Sequence, residues 1–150
     1  MRPKSPASVY LESNALIRTI TKMPGYEPVA EILRLADAGK LTVLISMLAY
    51  VEVRGWGKRD PYPEEIDKEG VRLLDSPSLV RIELSRRVAV RARECAWKYG
   101  LNNYDALHLA SALEFPADVL MTWDKDFKYP RDIEGVWVDE PYEPGDPTLI

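Results

Sequence analysis

One cysteine and one histidine, Cys95 and His108, occur in 150 residues. A single thiol excludes an internal disulfide and a cysteine-rich zinc site, and with only one imidazole a zinc enzyme is not expected. Such sparing use of cysteine fits a reducing compartment, so a cytoplasmic location is expected. Long apolar runs are also missing. The longest uncharged stretch, Leu41 to Val51, is well short of the roughly 18 apolar residues needed to span a bilayer, so no membrane association is expected. Nothing near the start reads as a signal peptide: Arg2 and Lys4 are basic, but the apolar segment after them stops at Glu12. Excess positive charge is absent too, with 20 Lys and Arg against 24 Asp and Glu and a net charge of −4. That argues against a protein that coats nucleic acid through charge alone. It leaves room for a nuclease that binds through a metal and a local basic patch. Ser46, Ser85 and Ser111 have no neighbouring histidine in the sequence, so a serine hydrolase is unsupported. There is no internal repeat.

What remains is an ordinary globular composition, 46% apolar and 29% charged, sufficient for one domain and too short for two typical ones. Strands and helices alternate along it. Val9–Leu11 reads as a short strand, followed by a helix entered at Ser13. Pro28 suits a first helical position, and Val29, Ile32, Leu33 and Ala36 follow at helical spacing up to Gly39. Leu41–Ile45 is a β-rich run, and Ser46 is placed to cap the next helix, which carries Leu48, Val51 and Glu52. A loop is expected over 55–63, then a helix with Ile66, Leu73 and Leu74. Val80–Leu84 alternates like a strand. Ser85 caps a helix that ends at Gly100, and another helix starts near Asn103. Asp118–Thr122 is the fourth strand and Val136–Val138 a possible fifth. Residues 139–150 hold four acids and three prolines and are expected to form an extended or disordered tail. This order predicts an α/β domain over residues 1–138, three layers of α/β/α around a central, mainly parallel sheet of four or five strands.

Four acids stand out against that frame. Glu12 ends the first strand, Glu52 lies in the helix after the second, Asp105 opens the helix near Asn103, and Asp124 follows the fourth strand. In doubly wound sheets the ligand crevice lies beyond the carboxyl ends of the strands. Carboxylates gathered there repel one another unless a cation neutralises them, and an all-oxygen donor set suits a hard divalent ion. That points to metal-assisted chemistry, with phosphate the expected target. Each acid also has a local reading. Glu52 could be a solvated helix residue, Asp105 a partner of the helix dipole, Asp124 the start of a turn, and Glu12 a cap. Their joint placement weakens those readings.

The same residues carry a resemblance. The chain resembles the PIN-domain ribonucleases, and among them the VapC-type toxins of prokaryotic toxin–antitoxin pairs, from about Val9 to Phe127. The features are Leu11-Glu12-Ser13-Asn14, Ser46 with Glu52 six residues later, the helical run from Asp105-Ala106 to Ala110-Ser111-Ala112, and Thr122-Trp123-Asp124-Lys125-Asp126-Phe127. No one of these is decisive; their order and spacing are. The resemblance implies a Mg²⁺ or Mn²⁺ site formed by Glu12, Glu52, Asp105 and Asp124, with Asp126 a second candidate for the fourth acid. It implies hydrolysis of RNA phosphodiester bonds, Asn14 and Thr122 as orienting residues, a small antitoxin as partner, and a homodimer. One position departs from the pattern. The family's first acid is Asp, and Glu12 is longer by one carbon–carbon bond, about 1.5 Å. A misplacement of about 1 Å can cost on the order of 10²-fold in rate. Three outcomes stay open: a shifted but working site, a weakened enzyme, or an inactive domain that binds RNA or a partner.

Other residues point less sharply. His108 is expected as a half-buried surface histidine, with a ligand or general-base role as the alternative. Basic residues from Arg81 to Lys98 outnumber the acids there, and Arg86 and Arg87 are candidates for contact with RNA backbone. An ordinary solvated helix face reads the same way. Trp97 is expected in the core or at a dimer contact, and Trp123 at the rim of the site. The Asp124-x-Asp126 pair resembles that of the haloacid-dehalogenase phosphatases, but theirs follows the first strand and this one follows the fourth.

Overall fold

The computed structural model describes residues 1–54 and 63–145. All but Pro63 of the loop expected over 55–63, Trp56 included, lies outside the described residues, as do residues 146–150 of the expected tail. The elements run β1 (Ser8–Leu11), α1 (Ser13–Ile20), α2 (Glu27–Asp37), β2 (Thr42–Ser46), α3 (Ala49–Glu52), α4 (Glu64–Leu74), β3 (Leu79–Ile82), α5 (Arg86–Tyr99), α6 (Asn103–Glu114), β4 (Val119–Met121), β5 (Arg131–Ile133) and β6 (Val136–Asp139). A 3₁₀ turn, Lys125–Phe127, follows β4.

The strands form one sheet in the order β3-β2-β1-β4-β6-β5, parallel except for β5 against β6. Its central strands are apolar on both faces, as a parallel sheet covered on both sides requires. Alternation along β1 sends Val9 and Leu11 to one layer and Tyr10 to the other. Val9, Leu11, Val43, Ile45, Val119 and Met121 pack with residues of α1 and α2. Tyr10, Leu44, Ile82, Leu120 and Val138 pack with α5 and α6. The three-layer arrangement follows directly from that alternation. Leu120 is fully buried, and truncating such a residue to Ala costs about 2–5 kcal/mol.

Local signals account for most boundaries. The Ser85 hydroxyl accepts from Val88 N at 3.2 Å and caps α5, while Gly100 closes it at φ +66°. The Asn102 side chain accepts from Asp105 N at 2.9 Å and caps α6. Ser46 behaves differently from expectation. It is the last residue of β2, and its hydroxyl accepts from Leu48 N at 3.0 Å in a tight turn. The residue at the N-cap of the four-residue α3 is therefore Leu48. The sheet also has one strand more than expected. Glu134 and Gly135 both adopt positive φ, +50° and +96°, which gives the two-residue hairpin turn that folds β5 onto β6. Glutamate is an uncommon occupant of such a position, which hid the hairpin.

β1 lies between β2 and β4, so the chain order reverses across the β1–β4 pair. Leu11 pairs with Met121 at the carboxyl end of that pair, and Glu12 N donates to Met121 O at 3.1 Å. Glu12 and Thr122 thus stand side by side at the switch point, where open α/β sheets bind ligands. Beyond β6, Tyr142 donates to Pro3 O at 2.6 Å and Gly145 N to Lys4 O at 2.7 Å, which ties residues 142–145 to the start of the chain. Among the described residues no helix is long and apolar enough to cross a membrane.

Candidate functional site

A cavity of about 510 Å³ opens at this switch point, and Glu12, Glu52, Asp105 and Asp124 all line it. Ser13, Asn14, Asn102, Tyr104 and Arg54 complete its polar wall. Four acids separated by as many as 112 positions are thus brought to one pocket by the ends of β1 and β4, the end of α3 and the start of α6. They fall into two adjoining groups. Carboxylate oxygens of Glu12 and Glu52 lie within 4.8 Å of one another and of a His108 ring nitrogen, and those of Asp105, Asp124 and Asp126 do the same among themselves. Asp126 belongs to the second group but does not line the cavity; it is exposed, and its backbone N donates to Asp124 Oδ1 at 2.9 Å.

Glu12 is 5% exposed and turned inward. Thr122 Oγ1 donates to its Oε2 at 3.2 Å, and His108 Nε2 lies 3.4 Å from its Oε1. Thr122 is saturated. Its hydroxyl donates to Glu12 and accepts from Asn14 Nδ2 at 3.2 Å and from Asp124 N at 2.9 Å, using one donor and two lone pairs. Asn14 Oδ1 in turn accepts from Trp123 N at 3.2 Å. Asn14 and Thr122 therefore link the first acid to the fourth.

His108 differs most from expectation. It is fully buried on the pocket side of α6, not half-exposed at the surface. Its Nε2 lies 2.7 Å from Glu52 Oε1, and its Nδ1 lies 2.6 Å from the Tyr10 hydroxyl. Ser13 Oγ donates to the same Glu52 oxygen at 2.7 Å. The signal for this was present: His108 follows Asp105 by three residues, which puts both on one helix face. Asn102 was also overlooked. Besides capping α6 it donates through Nδ2 to Asp105 Oδ2 at 2.9 Å.

Electrostatics follow from the crowding. Burial first, then the Asp124 carboxyl and the Glu12 charge, push Asp105 up to about 7. Burial and the Glu52 charge likewise raise Glu12, against the opposing pull of His108 and Thr122. Glu52 goes the other way. Burial alone would raise it, but the hydrogen bond and charge of His108 and the Ser13 hydroxyl hold it below the usual carboxylate range. Burial disfavours charge on His108, yet its bond to Glu52 and the charges of Glu12, Glu52 and Asp105 lift it above its ordinary value. Acids driven upward by their neighbours are what a cation would relieve, and an all-oxygen wall fits a hard divalent ion.

The remaining expected residues lie elsewhere. Arg86 and Arg87 line a separate groove with Leu113 and Glu114, and Arg87 donates to Glu114 Oε2 at 2.9 Å. Trp123 does not line the cavity; the Arg18 guanidinium sits over its ring at 4.2 Å. Trp97 is 92% exposed and is no part of the core.

The chain's fold recurs in solved structures. A toxin–antitoxin complex from Klebsiella pneumoniae matches at 24% identity and TM-score 0.64, covering 90% of this chain and 98% of that one. VapBC2 from Rickettsia felis, bound to a DNA fragment from its promoter, matches at 23% and 0.63, covering 89% and 98%. VapC20 of Mycobacterium tuberculosis, described as a sarcin–ricin loop cleaving toxin, matches at 14% and 0.61, covering 84% and 97%. No curated protein sequence matches the chain. The family model of the PIN domain matches residues 9–132. With the acids of those residues gathered at the switch point of a fold shared with these toxins, the chain belongs to the PIN-domain family.

Proposed function

We propose that this protein is a divalent-metal-dependent endoribonuclease, the toxin of a VapBC-type toxin–antitoxin pair. The observation that carries the reading is the single pocket lined by Glu12, Glu52, Asp105 and Asp124 at the carboxyl ends of β1 and β4. Family membership and the shared fold of toxin–antitoxin structures support the substrate class and the antitoxin partner.

The four acids would hold Mg²⁺ or Mn²⁺, which when bound makes water a nucleophile near neutral pH and offsets charge on the scissile phosphate. The chain's own residues do the rest. Thr122 and Asn14 fix Glu12 relative to Asp124 through one saturated hydroxyl. Asn102 fixes Asp105 while capping α6. Tyr104, exposed beside the cavity, would meet an RNA strand entering it. The resemblance adds a homodimer, in which the exposed Trp97 is a contact; sedimentation of Trp97→Ala against the parent chain tests it, and an unchanged oligomer removes Trp97 from the interface.

A second reading has its own observation. Glu12 is nearly buried and both its oxygens face protein groups. A metal site lacking Glu12 would leave a weakened or inactive domain that binds RNA or a partner. Two measurements separate the readings: calorimetric titration with Mn²⁺, and cleavage of a labelled RNA panel with Mg²⁺ or Mn²⁺, each beside Asp105→Ala. Binding and cleavage that both vanish in the variant support the enzyme. Absence of Mn²⁺ binding in the parent chain supports the second reading.

A further inference from the structure

We propose that His108 is a positioning residue of the pocket: braced from behind by Tyr10, its ring presents Nε2–H to Glu52 and holds that carboxylate in place. The proposal rests on the reading of the pocket as a metal site. It concerns how this chain aims one acid.

Glu52 has little support from its own element. It ends α3, a helix of four residues, and its side chain is anchored from elsewhere. Two groups reach it, Ser13 Oγ from α1 and His108 Nε2 from α6, each at 2.7 Å and both on Oε1. Among the described residues nothing else bonds this carboxylate, so Oε2 keeps its lone pairs for a ligand. An ionised carboxylate only accepts, so Nε2 must carry the hydrogen. The other nitrogen is then set by its own partner. Nδ1 lies 2.6 Å from the hydroxyl of Tyr10, which is fully buried on β1 two residues before Glu12. The two rings meet edge-on, with centroids 5.8 Å apart and planes at 70°. The imidazole can therefore neither turn over nor swing out without breaking a buried bond. The same Nε2 lies 3.4 Å from Glu12 Oε1, so one nitrogen sits between the two glutamates. His108 is fully buried and does not line the cavity, so it acts through these carboxylates and does not touch substrate.

Two measurements test this. In metal-free protein, nitrogen-detected NMR of His108 is expected to show Nε2 protonated; a bare Nε2 overturns the proposal whether or not the pocket binds metal. In calorimetry, Mn²⁺ affinity is expected to fall about 10- to 100-fold in His108→Leu, as it does when the partner that orients a ligand is lost. His108→Gln, whose amide nitrogen reaches near the place of Nε2, should recover most of that loss. Affinity in a folded His108→Leu equal to that of the parent overturns the proposal, as does a His108→Gln no better than His108→Leu. Parent protein that binds no Mn²⁺ defeats the metal reading instead, and the nitrogen spectrum alone then decides the role of His108.

Discussion

Two buried acids, one at the end of a strand and one in the first turn of a helix, meet opposite treatment. Asp139, at the end of β6 and 2% exposed, is surrounded by donors. Arg2 Nε lies 2.8 Å away, Trp137 Nε1 donates to the same oxygen at 2.9 Å, and Glu140 N donates to the other at 2.8 Å. Asp105, buried to a similar extent near the ends of β1 and β4, sits among Asp124, Glu12 and His108. One carboxylate has been given its cation and hydrogen bonds by the fold. The other has one amide donor, Asn102, and otherwise faces more carboxylates. Burial of charge is costly unless it is paired, so the first acid serves the native state and the second sits in a setting that costs stability.

That contrast can be broken most sharply by removing each charge in turn. Asp105→Asn is expected to lower RNA hydrolysis by at least about a hundredfold while the metal-free protein melts no lower than the parent. If the melting temperature drops instead, Asp105 is structural and the contrast fails. Asp139→Ala should do the reverse. It strands the Trp137 and Glu140 N–H groups and should cost about 1–3 kcal/mol in denaturant unfolding, with turnover of the folded fraction kept within about threefold. The next test uses pH. A carboxyl whose folded value lies above its unfolded one binds its proton more readily in the native state, so its contribution to stability is complete at low pH and is lost as pH rises. For Asp105 that window runs from near 3.8 to about 7. Glu12 and His108, both shifted upward, act in the same sense; Glu52, held low, adds stability that is lost only at acid pH. The melting temperature of metal-free protein should therefore fall as pH rises toward neutrality, and Asp105→Asn should flatten the slope. A flat parent profile would show that Asp105 is not under strain. The smallest effect is expected for Thr122→Val, about 1 kcal/mol of stability, with a larger loss of Mn²⁺ affinity because Glu12 and Asp124 lose their shared hydroxyl.

Much of the fold was legible because its signals are local. Ser85 and Gly100 act on backbone within a few residues, so the limits of α5 could be read directly. The β5–β6 hairpin was not, because Glu134 gives no hint of positive φ. The pocket divides the same way. The acids could be named because their order along the chain places them near one crevice of a doubly wound sheet, and Asn14 and Thr122 because the resemblance to the PIN-domain ribonucleases implies them. His108 was misjudged because its surroundings come from three elements. Tyr10 from β1, Ser13 from α1 and Glu52 from α3 close around it only after the sheet has formed.

Sequence alone determined that Glu12 and Asp124 would follow strands and that Glu52 and Asp105 would sit in helices, since side-chain alternation and helix capping are properties of short segments. Only the tertiary structure decided which buried acids would be given donors and which would be left facing one another. Pairing depends on a donor arriving from far along the chain, as Arg2 does for Asp139 across 137 positions. Distance in space is a result of packing, and no segment carries it by itself.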